Sequence, residues 1–298
     1  MNYSIGVDIG GTKIAAGIIS NQGKIIKQTE IKSDTTNRET MYASVKNALQ
    51  ELERDNDFSW NEIYGIGIGV PGKVDREKGV AVFQSNLPWE NFPVKQRIMA
   101  DFPIKRIMID NDVYMAAFAE WEKIAIPEQQ LMSYITISTG ISSAQIQNGR
   151  FLRGAGFAGE LGQIPVFMEK YSTLEQAVAG PGMEMLAQKK LNDSSLTTKG
   201  FFQKYLANDS NAMVLMQDIV SVLARGIYTL VTLYDPHVIV FGGSVATNNP
   251  FLIELIKEEM KVWLLEDQKH ILNHIELSNY RHLSGLVGAG LRAFKSLD

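Results

Sequence analysis

The first residues able to do chemistry follow an apolar run near the start of the chain, in the segment DIGGTK. Asp8 could hold a hydrated Mg²⁺ beside a phosphate, since carboxylate oxygens are ligands that Mg²⁺ prefers. Gly10 and Gly11 would let the backbone approach that phosphate without a Cβ in the way. Thr12 offers a hydroxyl and Lys13 a point charge. The alternative is a plain hairpin turn at the two glycines, with Asp8 at a strand end.

The spacing in this segment is not that of the common nucleotide-binding loops. A Walker loop requires Gly-x-x-x-x-Gly-Lys-Ser/Thr, a dinucleotide loop requires Gly-x-Gly-x-x-Gly, and both lead into a helix. Here residues 13–19 are mainly apolar and partly β-branched, residues 21–23 are typical of a tight turn, and residues 24–31 alternate again. This pattern predicts strand, glycine turn, strand, hairpin turn and strand.

The same order of features returns in residues 134–154. A β-branched apolar run leads to Thr139 and Gly140, and a second short strand then reaches a turn at residues 148–149, after which Arg150 begins a third. Two copies of one pattern predict duplicated α/β domains that face each other across a cleft. Each copy would offer a turn of small residues to phosphate.

Between and after the two copies, helical and strand periodicities alternate, which is typical of an α/β fold. The pattern predicts strands at 64–70, 104–109 and from 238 to a Gly-Gly loop, and helices at 41–52, 113–125, 211–233 and 285–297. We expect residues 1–118 with 285–298 to form a small N-terminal domain. Residues 119–284 would form a larger C-terminal domain.

Composition excludes several classes of protein. The chain has 298 residues, 45% of them hydrophobic, and its net charge of −4 lacks the basic excess of a nucleic-acid-binding surface. No apolar run approaches the length of a membrane span and no secretion signal is visible, so we expect a cytoplasmic protein. Because the chain has no cysteine, disulfide bonds and thiolate metal sites are impossible.

Six motifs occur in one order over nearly the whole chain: DIGGTK (8–13), GIGVPGKVD (67–75), NLPW (86–89), DNDVYMAAFAE (110–120), GAGFAGELG (154–162) and VFGGSVA (240–246). With these motifs the chain resembles the ROK family of bacterial sugar kinases and repressors. The resemblance implies an α/β fold of two duplicated actin/hexokinase-like, or ribonuclease H-like, domains. Some ROK members carry an N-terminal helix-turn-helix. Here the first turn begins at Asp8, so we expect no such segment, which favours an enzyme.

The resemblance implies an ATP- and Mg²⁺-dependent phosphoryl transfer to a hexose, here to its 6-hydroxyl, a reaction that needs positioning, charge neutralisation and a proton acceptor. It assigns the proton acceptor to Asp112, which would also orient the hydroxyl in line with the γ-phosphorus. The alternative is that Asp112 caps the following helix, since Asp and Asn are common N-caps. Both roles are compatible if Asn111 supplies the cap.

The same resemblance assigns contacts to the hexose and to ATP. The sugar contacts are Asn86, Asn111, Asp112, Glu160 and Glu175, with Gln163 as a candidate beside the C1 or C2 substituent. The phosphate contacts are Asp8 through Mg²⁺, Gly10, Gly11, Thr12, Lys13, Thr139 and Gly140, and Gly242 and Gly243 would suit an adenosine pocket. A plain strand-to-helix turn is the alternative for the last two glycines. Trp89 is expected to pack a nearby wall and not to stack on the sugar.

The chain departs from the family in two places. The second phosphate turn, usually glycine-rich, has Ser138, Ser142, Ser143 and Ala144, so its geometry and nucleotide affinity could differ. Many members follow GELG with a histidine that binds structural zinc together with three cysteines. Here Gln163 stands at the histidine position, and we expect no zinc. In this the chain is similar to β-glucoside kinases and to some N-acetylmannosamine kinases and glucokinases.

The leading hypothesis is therefore a kinase acting on glucose, a β-glucoside or N-acetylmannosamine. Its rival is a catalytically weak sugar sensor without a DNA-binding domain. The serine-rich turn favours the sensor, whereas Asp8, Thr12 and Asp112 favour the enzyme. A non-sugar ATPase of the actin or acetate-kinase type would not explain NLPW or GELG. The expected partners are sugar and ATP, without nucleic acid or membrane, and the resemblance implies a homodimer.

Overall fold

The structure, a computed structural model, describes residues 2–54, 59–84, 86–168 and 171–295. The strands in these ranges are β1 Tyr3–Ile9, β2 Lys13–Ser20, β3 Ile25–Lys32, β4 Ile63–Val70, β5 Lys73–Asp75, β6 Val80–Phe83, β7 Glu90–Phe92, β8 Ile107–Asn111, β9 Met132–Ile137, β10 Ile141–Gln147, β11 Arg150–Phe151, β12 Pro165–Phe167, β13 Tyr171–Thr173, β14 Val238–Gly242 and β15 Ile275–Leu277. The helices are α1 Arg38–Glu53, α2 Val94–Asp101, α3 Asp112–Ile124, α4 Leu174–Val178, α5 Gly180–Lys190, α6 Thr198–Leu206, α7 Ser210–Tyr234, α8 Ser244–Asn248, α9 Pro250–Met260 and α10 Ser284–Arg292.

Two five-stranded sheets share one strand order. The first runs β3-β2-β1-β4-β8 and the second β11-β10-β9-β14-β15, so each follows the order 3-2-1-4-5 when its strands are numbered along the chain. In the first sheet the β1–β2 and β2–β3 pairs are antiparallel, whereas β1, β4 and β8 are parallel. In the second, β10–β11 is antiparallel, and β9, β14 and β15 are parallel. The repeated order confirms the predicted duplication.

By internal packing the chain divides into two compact units. The first comprises Met1–Glu128, Ile146–Ala158 and His282–Asp298, and the second comprises Gln129–Gln145 and Gly159–Arg281. The β10–β11 turn and the chain as far as Ala158 therefore pack with the N-terminal residues. The domain boundaries at 118 and 285 stay a prediction.

In the first unit, alternate residues of β1 face opposite sides of the sheet. On one side, Ile5, Val7 and Ile9 join a buried core that includes Met41 and Leu49 of α1. On the other side, α10 packs closely: the Ser4 Oγ donates to the Gly290 carbonyl at 2.6 Å, and a Cβ on Gly6 would overlap the Leu286 carbonyl. Asp8 belongs to this second set, so the fold places its carboxylate on the α10 side.

In the second unit, the long helix α7 supplies much of the core. Leu215, Ile219, Leu223 and Ile227 are almost fully buried in a cluster that also contains residues of β9, β14, α5 and α9. The sequence predicts no membrane span. Among the described residues, α7 is the one helix that is long and apolar enough to suit such a span. However, 61% of its apolar window is buried inside the protein, as in an ordinary core helix.

Two predicted boundaries are wrong by several residues. The strand expected at 104–109 runs from Ile107 to Asn111, because the chain turns before it, with the Ile104 N–H donating to the Phe102 carbonyl at 2.8 Å. The final helix, expected to reach 297, ends at Arg292. There the Arg106 guanidinium donates to the Ala293 carbonyl at 2.8 Å and to the Lys295 carbonyl at 2.7 Å, so it satisfies the backbone beyond the helix end.

Candidate functional site

The first predicted phosphate turn is a tight hairpin turn between β1 and β2. The Gly10 N–H donates to the Lys13 carbonyl at 2.9 Å. Ser33, just after β3, braces the turn, because its Oγ donates to the Gly10 carbonyl at 2.7 Å and its N–H to the Thr12 carbonyl at 3.0 Å. The Thr12 and Lys13 side chains are exposed. The two glycines therefore do form a hairpin turn, as the alternative interpretation expects. Phosphate binding by this turn stays a prediction.

Lys13 contacts a carboxylate of the neighbouring strand. Its Nζ lies 2.5 Å from Oε2 of Glu30, and both side chains are about half exposed, at 50% and 55%. An exposed ion pair of this kind contributes little to stability, because water and salt screen it. The ammonium group of Lys13 can therefore exchange Glu30 for a phosphate at small cost.

The carboxylate of Asp8, a residue of β1, lies against the start of α10. Its Oδ2 is 2.5 Å from the place that a Cβ on Gly285, the second residue of that helix, would occupy. Burial, followed by the negative charge of Asp112, raises the pKa of Asp8 to about 7, while Lys13 acts in the opposite direction. The surroundings therefore leave the negative charge of Asp8 undercompensated. An oxygen ligand of this kind fits Mg²⁺, which would supply the missing positive charge.

Asp8 and Asp112 flank the same glycine of β4. A Cβ on Gly69 would lie 3.6 Å from Oδ1 of Asp8 and 3.3 Å from Cα of Asp112. The register explains this, since Gly69 pairs with Asp8 on one side and with Asp110 on the other. Two of the predicted site residues, 104 positions apart in the chain, are thus brought together at the carboxyl ends of parallel strands. Side chains at this edge of an α/β sheet commonly bind ligands.

Asn111 is the N-cap of α3. Its Oδ1 accepts hydrogen bonds from the N–H groups of Val113 at 2.9 Å and Tyr114 at 3.4 Å, and its Nδ2 donates to the Gly72 carbonyl at 3.1 Å. The cap is therefore supplied by Asn111 and Asp112 is the first helical residue, as the combined interpretation allows. Because Oδ1 is used twice and Nδ2 once, one amide hydrogen of Asn111 remains for a sugar hydroxyl.

The NLPW segment lies beside the first turn. The Asn86 side chain is exposed, and a Cβ on Gly11 would lie 3.0 Å from its backbone oxygen and 3.5 Å from its Nδ2. Trp89 is 2% exposed, donates from Nε1 to the Arg38 carbonyl at 3.0 Å and stacks on Phe92 with ring centroids 4.6 Å apart. Trp89 thus packs a wall, as predicted, while Asn86 lies at the surface.

The sequence interpretation missed a buried ion pair beside Asp112. Asp110 is 4% exposed, and both its oxygens accept hydrogen bonds from Arg153, at 3.0 and 2.7 Å. The guanidinium of Arg153 lies over the Tyr114 ring, 4.6 Å from its centroid, and Nε of Arg76 lies 3.6 Å from Asp110. The sequence does carry a signal for this ion pair: Asp110 directly follows the apolar run IMI, residues 107–109, and a buried carboxylate requires a partner. The pair ties the segment after β11 to the residue two positions before Asp112.

The second predicted turn joins β9 to β10. The Ser138 N–H donates to the Gly140 carbonyl at 2.9 Å, and Thr139 is exposed at the tip. The unusual serines belong mainly to the strand that follows: the hydroxyls of Ser142 and Ser143 donate to the Gly159 carbonyl at 3.3 and 3.0 Å. These two serines therefore hold the GELG segment against β10 and do not form the tip of the turn.

The acidic residues predicted to contact sugar lie next to this turn. The Ile141 N–H donates to Oε2 of Glu175 at 2.9 Å. Glu160 precedes a short 3₁₀-helix, Leu161–Gln163, and its side chain stays accessible to solvent. Partial desolvation by the surrounding protein, followed by the negative charge of Glu175, raises the pKa of Glu160. Gln163 is exposed at the end of the same short helix, so the second unit groups three of the predicted sugar contacts.

Gly242 and Gly243 form the predicted strand-to-helix turn between β14 and α8. A Cβ on Gly242 would overlap the Tyr134 hydroxyl, and one on Gly243 would overlap the Ile137 carbonyl. Gly243 also has a φ of +81°, a conformation that favours glycine. Packing against β9 is thus sufficient to require both glycines, and their contact with adenosine stays a prediction.

The residues after GELG do not fit a structural zinc site. The chain has no cysteine, and no cluster of three or more His, Asp or Glu suited to a metal occurs within the described ranges. An amide such as that of Gln163 is a poor zinc ligand. In place of a metal loop, β12 and β13 pair as an antiparallel hairpin, with Val166 opposite Ser172.

Comparison with known proteins extends these observations. A sequence model described as the ROK family matches residues 4–295. The chain is 27% identical over 286 residues to a glucokinase of Halalkalibacterium halodurans, covering 88% of this chain and 86% of that protein. It is 28% identical over 297 residues to a β-glucoside kinase of Listeria monocytogenes, covering 95% and 94%.

A solved structure has the same architecture. The ROK hexokinase from Thermus thermophilus matches with a TM-score of 0.80 and 27% identity, covering 98% of each chain. Together with the repeated strand order, this likeness confirms the predicted α/β fold with two duplicated domains of the actin/hexokinase type.

Proposed function

Because the chain belongs to the ROK family, we propose that it is a sugar kinase that transfers the γ-phosphoryl group of ATP to the 6-hydroxyl of a hexose or hexose derivative. The observation that carries the proposal lies at the start of α3, where Asn111 is the N-cap and Asp112, the first helical residue, lies near Asp8 at Gly69. A carboxylate beside the strand ends of an α/β sheet suits the proton acceptor that phosphoryl transfer requires. The glucokinase and the β-glucoside kinase among the relatives support this class of reaction.

In the proposed reaction, Asp112 accepts the proton of the sugar hydroxyl as its oxygen bonds to the γ-phosphorus. The bond between that phosphorus and the β–γ bridging oxygen breaks, and ADP leaves. Asn86 holds the sugar in position together with Asn111, which has one amide hydrogen not used in capping or in the bond to Gly72. Because capping fixes the Asn111 side chain, the residue that follows it is held in a defined direction.

The phosphates are assigned to the two turns. Gly10, Gly11 and Thr12 would bind them through the backbone and a hydroxyl, with Lys13 released from Glu30, and Thr139 and Gly140 would bind them at the second turn. Gly242 and Gly243 would lie against adenosine. When bound, Mg²⁺ neutralises charge on the phosphates, and Asp8 is the residue that would hold it, through water.

The sugar's identity depends on the second unit. Glu160, Gln163 and Glu175 would accept or donate hydrogen bonds to the ring hydroxyls. Gln163, at the family's histidine position, would face the C1 or C2 substituent and tolerate a change there, so β-glucosides and N-acetylmannosamine join glucose as candidates. A strong preference for free glucose over glucosides and N-acetylhexosamines would contradict this role of Gln163.

A coupled ADP-release assay across a sugar panel tests the proposal. Glucose, cellobiose, salicin, N-acetylmannosamine and N-acetylglucosamine are offered with ATP and Mg²⁺, and EDTA provides the control without metal. At least one sugar should release ADP in a Mg²⁺-dependent manner. Sugar binding without ADP release for any member of the panel would favour the sensor instead.

The proposal also places the protein in the cytoplasm as a homodimer, free of nucleic acid and membrane. Support comes from membership of the ROK family. Light scattering coupled to size-exclusion chromatography tests the oligomeric state, and a mass of 33.2 kDa in solution would contradict the dimer.

A further inference from the structure

Glu175 makes a contact that its predicted role in sugar binding does not require. Its Oε2 accepts a hydrogen bond from the backbone N–H of Ile141 at 2.9 Å. The same oxygen lies 2.5 Å from the place that a Cβ on Gly140 would occupy. The carboxylate therefore rests directly on the turn between β9 and β10, the second turn predicted to bind phosphate.

The backbone at Glu175 is firmly held. Thr173 and Gln176 form a reciprocal capping box around the start of α4, in which the Gln176 N–H donates to the Thr173 hydroxyl at 3.2 Å. Leu174 is 1% exposed, and its N–H donates to the Ile164 carbonyl at 2.8 Å. Because Leu174 and Gln176 are both held in place, the position of the Glu175 backbone is set independently of the turn. Its carboxylate can therefore stabilise the turn.

Glu175 also lies against the GELG segment, which itself packs on Ile141, since a Cβ on Gly162 would overlap the Ile141 carbonyl. A Cβ on Gly162 would lie 3.0 Å from the Glu175 Cβ and 3.2 Å from Oε2. Glu160, two residues before Gly162, is close enough for the negative charge of Glu175 to raise its pKa. One side chain thus contacts both the segment that carries Glu160 and the turn proposed to contact phosphate.

We propose that Glu175 is a positioning residue for the nucleotide as well as a contact for the sugar. Through the Ile141 N–H it holds residues 138–141 in the shape that receives a phosphate group. A charged acceptor makes this a stronger hydrogen bond than a neutral one would. The inference rests on the proposed kinase function, and it predicts that Glu175 affects nucleotide affinity even when no sugar is present.

Four proteins test this: wild type, Glu175→Ala, Glu175→Gln and Gln176→Ala. The glutamine variant keeps an oxygen acceptor without the charge. Gln176→Ala removes a hydrogen bond from the same helix start without touching the turn, so it controls for loosening of α4. The measurements are the Kd of the Mg²⁺ complex of AMPPNP without sugar, by calorimetry, and hydrogen–deuterium exchange of the Ile141 amide.

In Glu175→Ala, the Ile141 amide should exchange at least about tenfold faster, and the Kd of AMPPNP should rise by about tenfold, the scale expected for losing a hydrogen bond to a charged group. Glu175→Gln should stay within about threefold of wild type in both measurements while its sugar affinity falls. Gln176→Ala should match wild type in all of them.

Two results would overturn the inference. Unchanged AMPPNP affinity in Glu175→Ala, with sugar affinity lost, would leave Glu175 as a sugar contact alone. Equal losses in Gln176→Ala and Glu175→Ala would assign the effect to α4 as a whole. Failure of the kinase proposal looks different, since wild type itself would then bind no AMPPNP, and the positioning role would fall with it.

Discussion

Asp8 and Asp112 lie on either side of Gly69, with Oδ1 of Asp8 and Cα of Asp112 placed 3.6 and 3.3 Å from the position of a Cβ on that glycine. The negative charge of Asp112 contributes to the raised pKa of Asp8, so the two carboxylates interact electrostatically. A proposed magnesium ligand and a proposed proton acceptor are therefore set at a short, fixed separation by a residue with no side chain.

Gly69→Ala tests this separation. The added methyl group pushes the start of α3 by a few tenths of an ångström, and we expect turnover to fall by about tenfold or more with stability lowered by less than about 1.5 kcal/mol. Steady-state kinetics and urea unfolding measure the two effects. Gly67→Ala is the contrast, because its Cβ would overlap the Ala289 carbonyl and should prevent folding. Wild-type turnover in Gly69→Ala would show that the spacing is not critical.

Asp112→Asn and Asn111→Ala should separate catalysis from capping. Without a proton acceptor, Asp112→Asn should lose about two or more orders of magnitude in turnover while it keeps its fold and sugar affinity. Asn111→Ala removes the cap of α3 and should lower the free energy of unfolding by about 1 kcal/mol. Turnover in Asp112→Asn comparable to wild type would remove this residue from the mechanism.

Arg153→Ala should be strongly destabilising. It leaves the buried Asp110 carboxylate with the more distant Arg76, whose Nε lies 3.6 Å away, and breaking such a pair costs about 3 kcal/mol or more. Arg153→Lys keeps the charge but loses the two parallel hydrogen bonds, so its loss should be intermediate. Urea unfolding measures both variants, and a loss below about 0.5 kcal/mol in Arg153→Ala would mean that the pair contributes little.

Sugar affinity should depend on pH through Glu160. Its pKa is raised, so protonation removes a carboxylate acceptor at a higher pH than for an ordinary glutamate, and sugar Kd should rise as the pH falls, before ordinary glutamates become protonated. The fold is not weakened by this step. A raised pKa means that the folded state binds the proton more tightly than the unfolded state, so this group favours folding as pH falls. Calorimetry across pH tests the dependence, and Glu160→Gln should bind sugar weakly but with a flatter profile.

Local chemistry explains which features were predictable from the sequence. The turn after β2 was visible because glycine at 23, with φ of +76°, follows two polar residues between alternating strands. The strand–turn–strand pattern near Thr139 was visible because the polar residues Ser138 and Thr139 and then Gly140 interrupt two β-type runs. The duplication followed from finding this pattern twice, and the strand order 3-2-1-4-5 of both sheets agrees with it.

The contacts that were not predicted join residues far apart in the chain. Asp110 and Arg153 are separated by 43 positions, and Glu175 and Ile141 by 34. Periodicity reports which face of an element is buried, but it carries no information about which distant polar groups meet there. The serines after Gly140 illustrate the same limit, since only the fold reveals that Ser142 and Ser143 bond to the Gly159 carbonyl.

The most direct test of the kinase proposal is to identify the product. Wild type and Asp112→Asn are incubated with ATP, Mg²⁺ and each sugar of the panel, and ³¹P–¹H correlation NMR locates any new phosphomonoester. We predict a phosphate on the 6-hydroxyl of at least one hexose with wild type and about a hundredfold less product with the variant. Phosphate on another hydroxyl, equal product from both proteins, or sugar bound without any phosphorylated product would contradict the account.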